Sequence, residues 1–288
     1  MATTTEWVAA SRPRTLSAAV APVAVGVAVA HAARHVSVER ALLSLVVSLA
    51  VQVGTNYAND YADGRRGTDE VRVGPVRLVA SGLATAPTVR RAALLAFGVA
   101  GVAGLVVALQ TSLWLLAVGA ACIAAGWFYT GGPRPYGYAG YGEAFCFVFF
   151  GLVAVEGTVY ATSGHLVGLG FVAACPVGLM TVALLVVNNL RDIPTDGPAG
   201  KRTLAVVLGA KRTRLLYAGC VLVPFPFLAL IAISRPAALI ALVALVPSVV
   251  AVKRVMRGAK GRELIPVLGM TGGLQLLFSV LLAVGIAW

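Results

Sequence analysis

The stretch that decides the fold is residues 41–69, ALLSLVVSLAVQVGTNYANDYADGRRGTD. Its first part, 41–59, contains no Asp, Glu, Lys or Arg, and about 20 such residues are enough for a helix to cross a bilayer. Its second part, 60–69, contains three aspartates, Asp60, Asp63 and Asp69. The stretch therefore predicts a membrane-spanning helix that ends in an acid-rich segment.

The rest of the chain has the composition of a membrane protein. Apolar residues make up 59% of the sequence and the mean hydropathy is +0.89, whereas apolar residues are about half of a soluble domain. Lipid requires each backbone polar group to be satisfied within its own segment, so the apolar runs are predicted to be helices. The sequence predicts an all-α integral membrane protein, a nine-helix bundle that forms one membrane domain over residues 1–288. The nine candidate spans are approximately 15–33, 41–60, 90–109, 113–130, 142–161, 166–190, 214–233, 236–252 and 264–287.

The basic residues predict the orientation of this bundle. The formal net charge is +12, but with a cytoplasmic N-terminus 20 of the 23 Lys and Arg residues fall on the inner side. Only Arg34, Arg40 and Arg235 then lie outside. Because this bias follows the positive-inside rule, we attribute the charge to membrane topology and not to nucleic-acid binding. The run 15–33 is longer than the 7–15 residues of a usual signal-peptide core, so it is interpreted as a span.

Asparagines and aspartates recur at helical spacing where two of the spans end. In each cluster they are separated by three or four residues, which places them on one face of a helix. We expect Pro194 to end the second helix between its two acids. The residues concerned are Asn56, Asn59, Asp60 and Asp63 in the first cluster and Asn188, Asp192 and Asp196 in the second.

These clusters favour a divalent cation. Carboxylates grouped at the negative end of a helix dipole repel one another unless a cation neutralises them. Oxygen ligands without His or Cys suit Mg²⁺, which bridges carboxylates to substrate phosphates. Solvated loop charges are the alternative interpretation. Basic residues on the same side suit phosphate oxygens, and they are Arg65, Arg66, Arg72, Arg77, Arg134, Lys201 and Arg202. The combination predicts a substrate with a diphosphate head and a hydrocarbon tail.

A secondary transporter is the rival class, because ion sites in helical bundles also use acids. Transporters place their sites near the midplane of the bilayer. Here the acids lie at the inner ends of the spans, and the outer half has few polar residues. The pattern therefore favours an enzyme.

Two motifs resemble those of a known family. NDYADGRRGTD (59–69) resembles the first aspartate-rich motif of the UbiA superfamily of intramembrane aromatic prenyltransferases, and DIPTD (192–196) resembles the second. Gly67 stands where many members have a third Asp, and this variant is similar to the 1,4-dihydroxy-2-naphthoate polyprenyltransferases of menaquinone synthesis. Other stretches similar to that branch are SRPRTL (11–16), RVGPVRLVASG (72–82), YTGGPRPYGYAGYGE (129–143), FVFFGLVAVEGTVY (147–160) and NNLRDIPTDGPAGKRTLAVVLG (188–209).

The resemblance implies a reaction and a site for it. A polyprenyl group would pass from polyprenyl diphosphate to 1,4-dihydroxy-2-naphthoate with loss of diphosphate and CO₂, at the cytoplasmic face of a bacterial cell membrane. The implied Mg²⁺ ligands are Asn56, Asp60, Asp63, Asp69, Asn188, Asp192 and Asp196. The implied catalytic residues are Asp60, Asp63, Asp192, Asp196 and Lys201. The implied substrate-binding residues are Asn59, Arg65, Arg134, Tyr138, Glu143 and Arg202.

Three points stay open from the sequence. The acceptor could instead be 4-hydroxybenzoate, a tetrapyrrole or a glycerol lipid. Glu143 could orient the acceptor or pair with Arg134, and Glu156 could be functional or reach the outer surface. Tyrosines that could line a dry cavity could equally be interfacial belt residues, and they are Tyr57, Tyr61, Tyr129, Tyr136, Tyr138 and Tyr141.

Overall fold

The computed structural model describes residues 2–68, 74 and 76–288, and its regular elements are all helices. The predicted residues Asp69 and Arg72 lie outside the described part of the chain. The helices are α1 Thr4–Ala10, α2 Ser17–Ala32, α3 Val38–Arg66, α4 Ala86–Gln110, α5 Leu115–Phe128, α6 Gly142–Ser163, α7 Gly168–Asp196, α8 Leu204–Ala232, α9 Pro236–Met256 and α10 Gly261–Ala287.

The helices make this a multi-pass membrane protein. Among the described residues, seven helices are long and apolar enough to cross a membrane, namely α3, α4 and α6 to α10. A segment from Thr4 to Thr15, bent by 51° against α2, gives an eighth candidate, and α5 has only 14 residues. Each predicted span overlaps a helix, so the all-α membrane class is confirmed. The count of nine spans and the cytoplasmic N-terminus stay predictions.

Helix α7 is the central element of the bundle and ends in the second acid cluster. It is the most buried of the long helices and packs against α8, α10 and α2. The prediction that Pro194 ends this helix is wrong, because the helix continues to Asp196. A proline removes one N–H and crowds the carbonyl four residues earlier. In the last turn this disturbance is small, so Asp192 and Asp196 remain on one helical face.

Helix α6 departs from regular α geometry beside α7. Residues Phe147–Val153 form a π-helical segment, a feature that is frequent at functional sites. At its centre the backbone passes very close to α7, since a Cβ added to Gly151 would lie 2.8 Å from the Cα of Gly178. Only glycines allow this crossing, which fixes α6 against the central helix.

The packing leaves a space inside the bundle. Helices α2, α7, α8 and α10 share the main hydrophobic core, whereas α4 packs along α3, and α5 packs against both. A cavity lies between α3, α4 and α5 on one side and α6 and α7 on the other.

Candidate active site

The cavity has a volume of about 500 Å³ and two different ends. The side chains at one end are polar, and they include Arg12, Asn59, Asp63, Arg77, Asn189 and Lys201. The other end is apolar, and its lining includes Val47, Gly101, Val107, Leu116, Gly119 and Gly157. Asp63 and Val47 are sixteen residues apart on α3, which is about 24 Å along a helix that rises ~1.5 Å per residue. The cavity is therefore elongated, with a polar head end and an apolar tail end.

Asp63 is the acid of the first motif that faces this cavity. Its side chain is 1% exposed, and its Oδ1 accepts a hydrogen bond of 2.7 Å from the Tyr138 hydroxyl. Its Oδ2 lies 3.6 Å from Lys201 Nζ and 3.7 Å from Arg77 Nη2. A buried carboxylate needs such partners, and here a tyrosine from one loop and two cations from others supply them.

Lys201 joins the two acid motifs. Its Nζ also lies 4.0 Å from Asp196 Oδ1, and its backbone N–H donates to the Asp196 carbonyl at 2.9 Å. The chain returns to the cavity through Gly200, whose φ of 74° is in the left-handed region that glycine tolerates. One positive charge therefore stands between a carboxylate from α3 and a carboxylate from α7.

Asp60 has a different environment from Asp63, although both are buried. Its two carboxylate oxygens accept backbone hydrogen bonds from Leu78 at 2.8 Å and from Val79 at 3.1 Å. Within the described chain it is not part of the cavity lining. Asp60 therefore holds the segment that carries Arg77 against α3.

Asp192 is bound by the residue beside it in the sequence. Arg191 Nε donates to its Oδ1 at 2.7 Å and Nη2 donates to its Oδ2 at 2.8 Å. The same Nη2 donates to Asn188 Oδ1 at 2.9 Å. Both side chains of this bidentate ion pair are buried. Bidentate pairs of arginine and carboxylate are among the stronger charge-assisted hydrogen bonds.

Tyr138 connects the loop before α6 to the head end. Its ring lies under two cations, with Arg66 at 5.1 Å and Lys201 at 5.2 Å from the ring centroid. Burial, with the neighbouring Asp63 carboxylate, raises the pKa of the Tyr138 phenol well above its usual range. The phenol therefore stays protonated and donates to Asp63. Arg66 itself donates to the carbonyls of Thr130 and Gly132.

The structure separates the predicted cations into two groups. Lys201 and Arg77, both among the predicted cations, line the cavity, whereas Arg65, Arg134 and Arg202 are exposed and are not among the described lining residues. Arg12 also lines the head end. It lies in the stretch 11–16 quoted above for its resemblance to the family, but the positive-inside pattern accounted for it as a topology residue.

Carboxamides complete the polar wall. Asn59 Oδ1 accepts a hydrogen bond of 2.8 Å from the Thr130 hydroxyl, and Asn56 Nδ2 donates to the Ser11 carbonyl at 2.8 Å. Both residues line the cavity together with Asn188. The sequence predicted these three amides as ligands, and the structure brings them to the head end.

Aromatic rings form one wall of the cavity. Tyr129 and Tyr136 have ring centroids 5.5 Å apart, Tyr136 stacks on Phe145 at 4.0 Å, and Phe145 lies 6.0 Å from Phe149. All four line the cavity. The remaining predicted tyrosines are outside the described lining, and they are Tyr57, Tyr61, Tyr138 and Tyr141.

The two glutamates of α6 are both buried and have different partners. Glu143 Oε1 accepts a hydrogen bond of 3.0 Å from Asn189 Nδ2, and no described contact joins it to Arg134. Glu156 Oε1 accepts a bond of 2.7 Å from the backbone N–H of Val167, the residue that precedes α7. Glu156 therefore caps the N-terminus of α7, where a negative charge is favourable.

The head end fits a hard divalent cation. Within the described chain no group of three His, Cys, Asp or Glu residues is close enough to hold a metal. However, Asp63 and Asp196 already converge on one cation, the Lys201 ammonium. The nearby donors are carboxylate and carboxamide oxygens, which Mg²⁺ prefers over nitrogen or sulfur.

Together these features describe a cavity whose polar, cationic end and apolar end suit an amphiphile with an anionic head and a long apolar tail. The chain belongs to the UbiA prenyltransferase family, which it matches over residues 19–264. It is 48% identical to the 1,4-dihydroxy-2-naphthoate octaprenyltransferase of Mycobacterium tuberculosis, over 100% of this chain and 99% of the relative. It is 36% identical to the Escherichia coli protein of the same name, over 75% and 72% of the two chains.

Solved structures share the fold at low sequence identity. A UbiA homologue from Archaeoglobus fulgidus bound to DMAPP and Mg²⁺ gives a TM-score of 0.65 at 16% identity, over 98% of this chain and 99% of that one. A UbiA homologue from Aeropyrum pernix gives 0.73 at 13% identity, over 92% and 97%. These likenesses confirm the UbiA-type helical fold.

Proposed function

We propose that this protein transfers a polyprenyl group from polyprenyl diphosphate to 1,4-dihydroxy-2-naphthoate, with release of diphosphate and CO₂, to give a demethylmenaquinone. The observation that carries the proposal is the single cavity that joins a cationic head end to an apolar tail end. The acceptor is proposed from the full-length relative, at 48% identity, that is named for it.

The head end supplies charge for the diphosphate. Arg12, Arg77 and Lys201 face the cavity there, and guanidinium and ammonium groups neutralise phosphate oxygens. Two of these cations, Arg77 and Lys201, are positioned before substrate binds. Asp63 forms ion pairs with both of them, and the ring of Tyr138 makes a cation–π contact with Lys201. Such preorganised cations stabilise the charge that develops on the leaving diphosphate.

Asn59, Asp63 and Asp196, with Asn56, Asn188, Asp60 and Asp192 as further candidates, are the residues that would hold Mg²⁺. When bound, the ion supplies electrostatic stabilisation of the departing diphosphate. The support from this chain is the oxygen-only donor set and the convergence of Asp63 and Asp196 on one cation. Solved homologues with this fold bind Mg²⁺ together with a prenyl diphosphate.

The aromatic wall is suited to the cationic carbon left by ionisation. The rings of Tyr129, Tyr136, Phe145 and Phe149 offer π faces to a cation. They also exclude water, which would otherwise capture the allylic cation in place of the acceptor ring. The electron-rich ring of the acceptor then forms the carbon–carbon bond, and the ring carboxylate leaves as CO₂.

The head end is proposed to face the cytoplasm. The support is the excess of Lys and Arg on that side of the bundle. A cysteine placed at exposed Arg134 should react with a membrane-impermeant maleimide only in inverted membrane vesicles. Labelling in right-side-out vesicles alone would reverse the orientation.

The function is tested with the purified protein in lipid nanodiscs. We expect Mg²⁺, 1,4-dihydroxy-2-naphthoate and a mixture of prenyl diphosphates to give a product whose mass corresponds to a demethylmenaquinone, and EDTA to abolish it. A panel of 4-hydroxybenzoate, a tetrapyrrole and a glycerol phosphate identifies the acceptor. Preference for any of these over the naphthoate contradicts the proposal, and so does product formation without a metal.

A further inference from the structure

A buried polar pair links two helices that wall the cavity. Glu143 begins α6 and is 7% exposed, and Asn189 lies in the last turns of α7 and is 4% exposed. Asn189 Nδ2 donates to Glu143 Oε1 at 3.0 Å, and Asn189 is part of the cavity lining. The contacts described above for Asp63, Lys201 and Asp192 do not involve this pair.

The bond fixes which way the Asn189 amide points. A carboxylate oxygen accepts hydrogen bonds and the amide nitrogen donates them, so the NH₂ group must face Glu143. The amide oxygen lies on the opposite branch of the side chain and turns away from the glutamate. Because Asn189 lines the cavity, this leaves Oδ1 as the atom that meets a ligand.

The second carboxylate oxygen of Glu143 is an acceptor for which no described residue supplies a donor. Glu143 Oε2 is buried and has no hydrogen-bond partner among the described residues. Leaving a buried acceptor unsatisfied is unfavourable. The neighbouring cavity wall is made of Tyr129, Phe145 and Cys146, which offers flat rings beside the acceptor atoms. A planar molecule that carries a hydroxyl donor is the ligand that suits this surface.

We infer that Asn189, oriented by Glu143, accepts a hydrogen bond from a ring hydroxyl of the aromatic acceptor and so selects a hydroxyaromatic over its ether or quinone. The inference rests on the prenyl transfer proposed above. Glu143 is a positioning residue, and Asn189 Oδ1 is the atom that touches substrate. A site built around a buried hydrogen bond strongly rejects an analogue that cannot form it.

The first test removes the acceptor from the pair and then exchanges the two groups. In Glu143→Met the side chain keeps a similar length but cannot accept a hydrogen bond, so the Asn189 amide is no longer held and can turn its NH₂ group to the cavity. We expect the KM for 1,4-dihydroxy-2-naphthoate to rise about tenfold, as for a lost bond of ~1.4 kcal/mol, with the KM for polyprenyl diphosphate unchanged. The double variant Glu143→Gln/Asn189→Asp restores an acceptor–donor pair in the reverse order and should recover the low KM.

A matched control exists at the other end of the bundle. Gln110 Nε2 donates to Glu39 Oε1 at 2.9 Å, a bond of the same type between exposed residues. Glu39→Met, which removes the acceptor of this bond, should therefore leave both KM values unchanged. Thermal unfolding of all variants shows whether each one folds.

The second test uses a monomethyl ether of the acceptor, which cannot donate from the methylated oxygen. The wild type should discriminate against the ether, and Glu143→Met should lose most of that discrimination. Unchanged discrimination and KM in Glu143→Met overturn the inference while prenyl transfer stands. Absence of transfer in the wild type overturns the proposed function instead. If Glu143→Met does not fold, the double variant decides, because wild-type discrimination supports the pair and altered discrimination overturns it.

Discussion

The two ends of the cavity differ in how their residues are held. At the head end charged side chains are held by residues from distant parts of the chain, as Asp63 is by Arg77, Tyr138 and Lys201. At the tail end the lining is apolar and includes glycines such as Gly101 and Gly119, beside which an added Cβ would meet nothing within 4 Å. At the head end the charged side chains are therefore held by mutual contacts, whereas the tail end is an apolar space with room for added atoms.

This difference implies different selectivity. Fixed charges recognise one chemical group, because any displacement weakens several interactions together. An apolar wall gains roughly 25 cal/mol for each Å² of apolar surface that leaves water or lipid headgroups, with little directional preference. The head end should therefore be strict about the diphosphate, while the tail end should tolerate different chain lengths up to the available space.

The largest effect should come from Asp63→Asn. The variant keeps the shape of the side chain but removes the charge that holds Arg77 and Lys201, so we expect kcat/KM to fall by about 10²–10³-fold, as for loss of a preorganised electrostatic group. Initial rates in nanodiscs measure it. Asp60→Asn is the comparison, because it weakens the anchor of Leu78 and Val79; we expect it to lower the unfolding temperature more, and kcat/KM less, than Asp63→Asn does. Equal losses of kcat/KM in two equally stable variants would remove the distinction between these acids.

Filling the tail end should shorten the donors that the protein accepts. Gly119 lines the cavity, and a Cβ added there would meet nothing within 4 Å, so for Gly119→Leu we expect about a tenfold preference for geranyl over octaprenyl diphosphate relative to wild type, on the scale of one buried leucine side chain. Competition assays with product masses measure the ratio. Gly98→Leu, also unhindered but outside the described lining, should leave the ratio unchanged. A uniform loss for both donors would contradict an open tail end.

A smaller change is expected from Tyr138→Phe. It removes the hydrogen bond to Asp63 but keeps the ring under Lys201, so kcat/KM should fall by about three- to tenfold. Because the pKa of Tyr138 is raised, its phenol stays protonated below its usual titration near pH 10. The pH–rate profiles of variant and wild type should therefore have the same shape up to about pH 9. An alkaline limb that disappears in the variant would contradict this assignment.

The smallest effect on catalysis should come from Glu156→Ala, beside the tail end. The carboxylate caps α7 through the Val167 N–H, so its loss should lower the free energy of unfolding by about 1–2 kcal/mol, as for other helix caps. Thermal unfolding in detergent measures it, and turnover per folded molecule should stay near wild type. A large fall in turnover without a loss of stability would move Glu156 into the chemistry.

The sequence predicted the helices and the two acid clusters because both depend on local order. A charge-free run followed by acids at helical spacing is sufficient to predict α3 and its polar end. The roles within a cluster were not predictable. Asp60 and Asp63 are three residues apart in one motif. The backbone N–H groups of Leu78 and Val79, which come later in the chain, bind Asp60, whereas Asp63 faces the cavity.

Which of the inner-side cations line the cavity was likewise not predictable from the sequence. Arg12 and Arg77 lie in motif-like stretches, but a pattern that explains inner-side arginines by topology gives no reason to separate them from exposed Arg65 and Arg134. Lys201 reaches Asp63 through a turn whose geometry depends on Gly200. A contact between residues so far apart in the chain leaves no repeating pattern in the sequence.

Helix α5 has a consequence for the surrounding lipid. Its 14 residues extend only about 21 Å at ~1.5 Å per residue, whereas the hydrocarbon core of a bilayer is about 30 Å thick. A bilayer accommodates a short helix by thinning around it, and α5 forms a wall of the cavity. We therefore expect the acyl chains beside α5 to be compressed, where an isoprenoid tail would exchange with lipid. Turnover should consequently depend on membrane thickness, which lipids of graded acyl length would reveal.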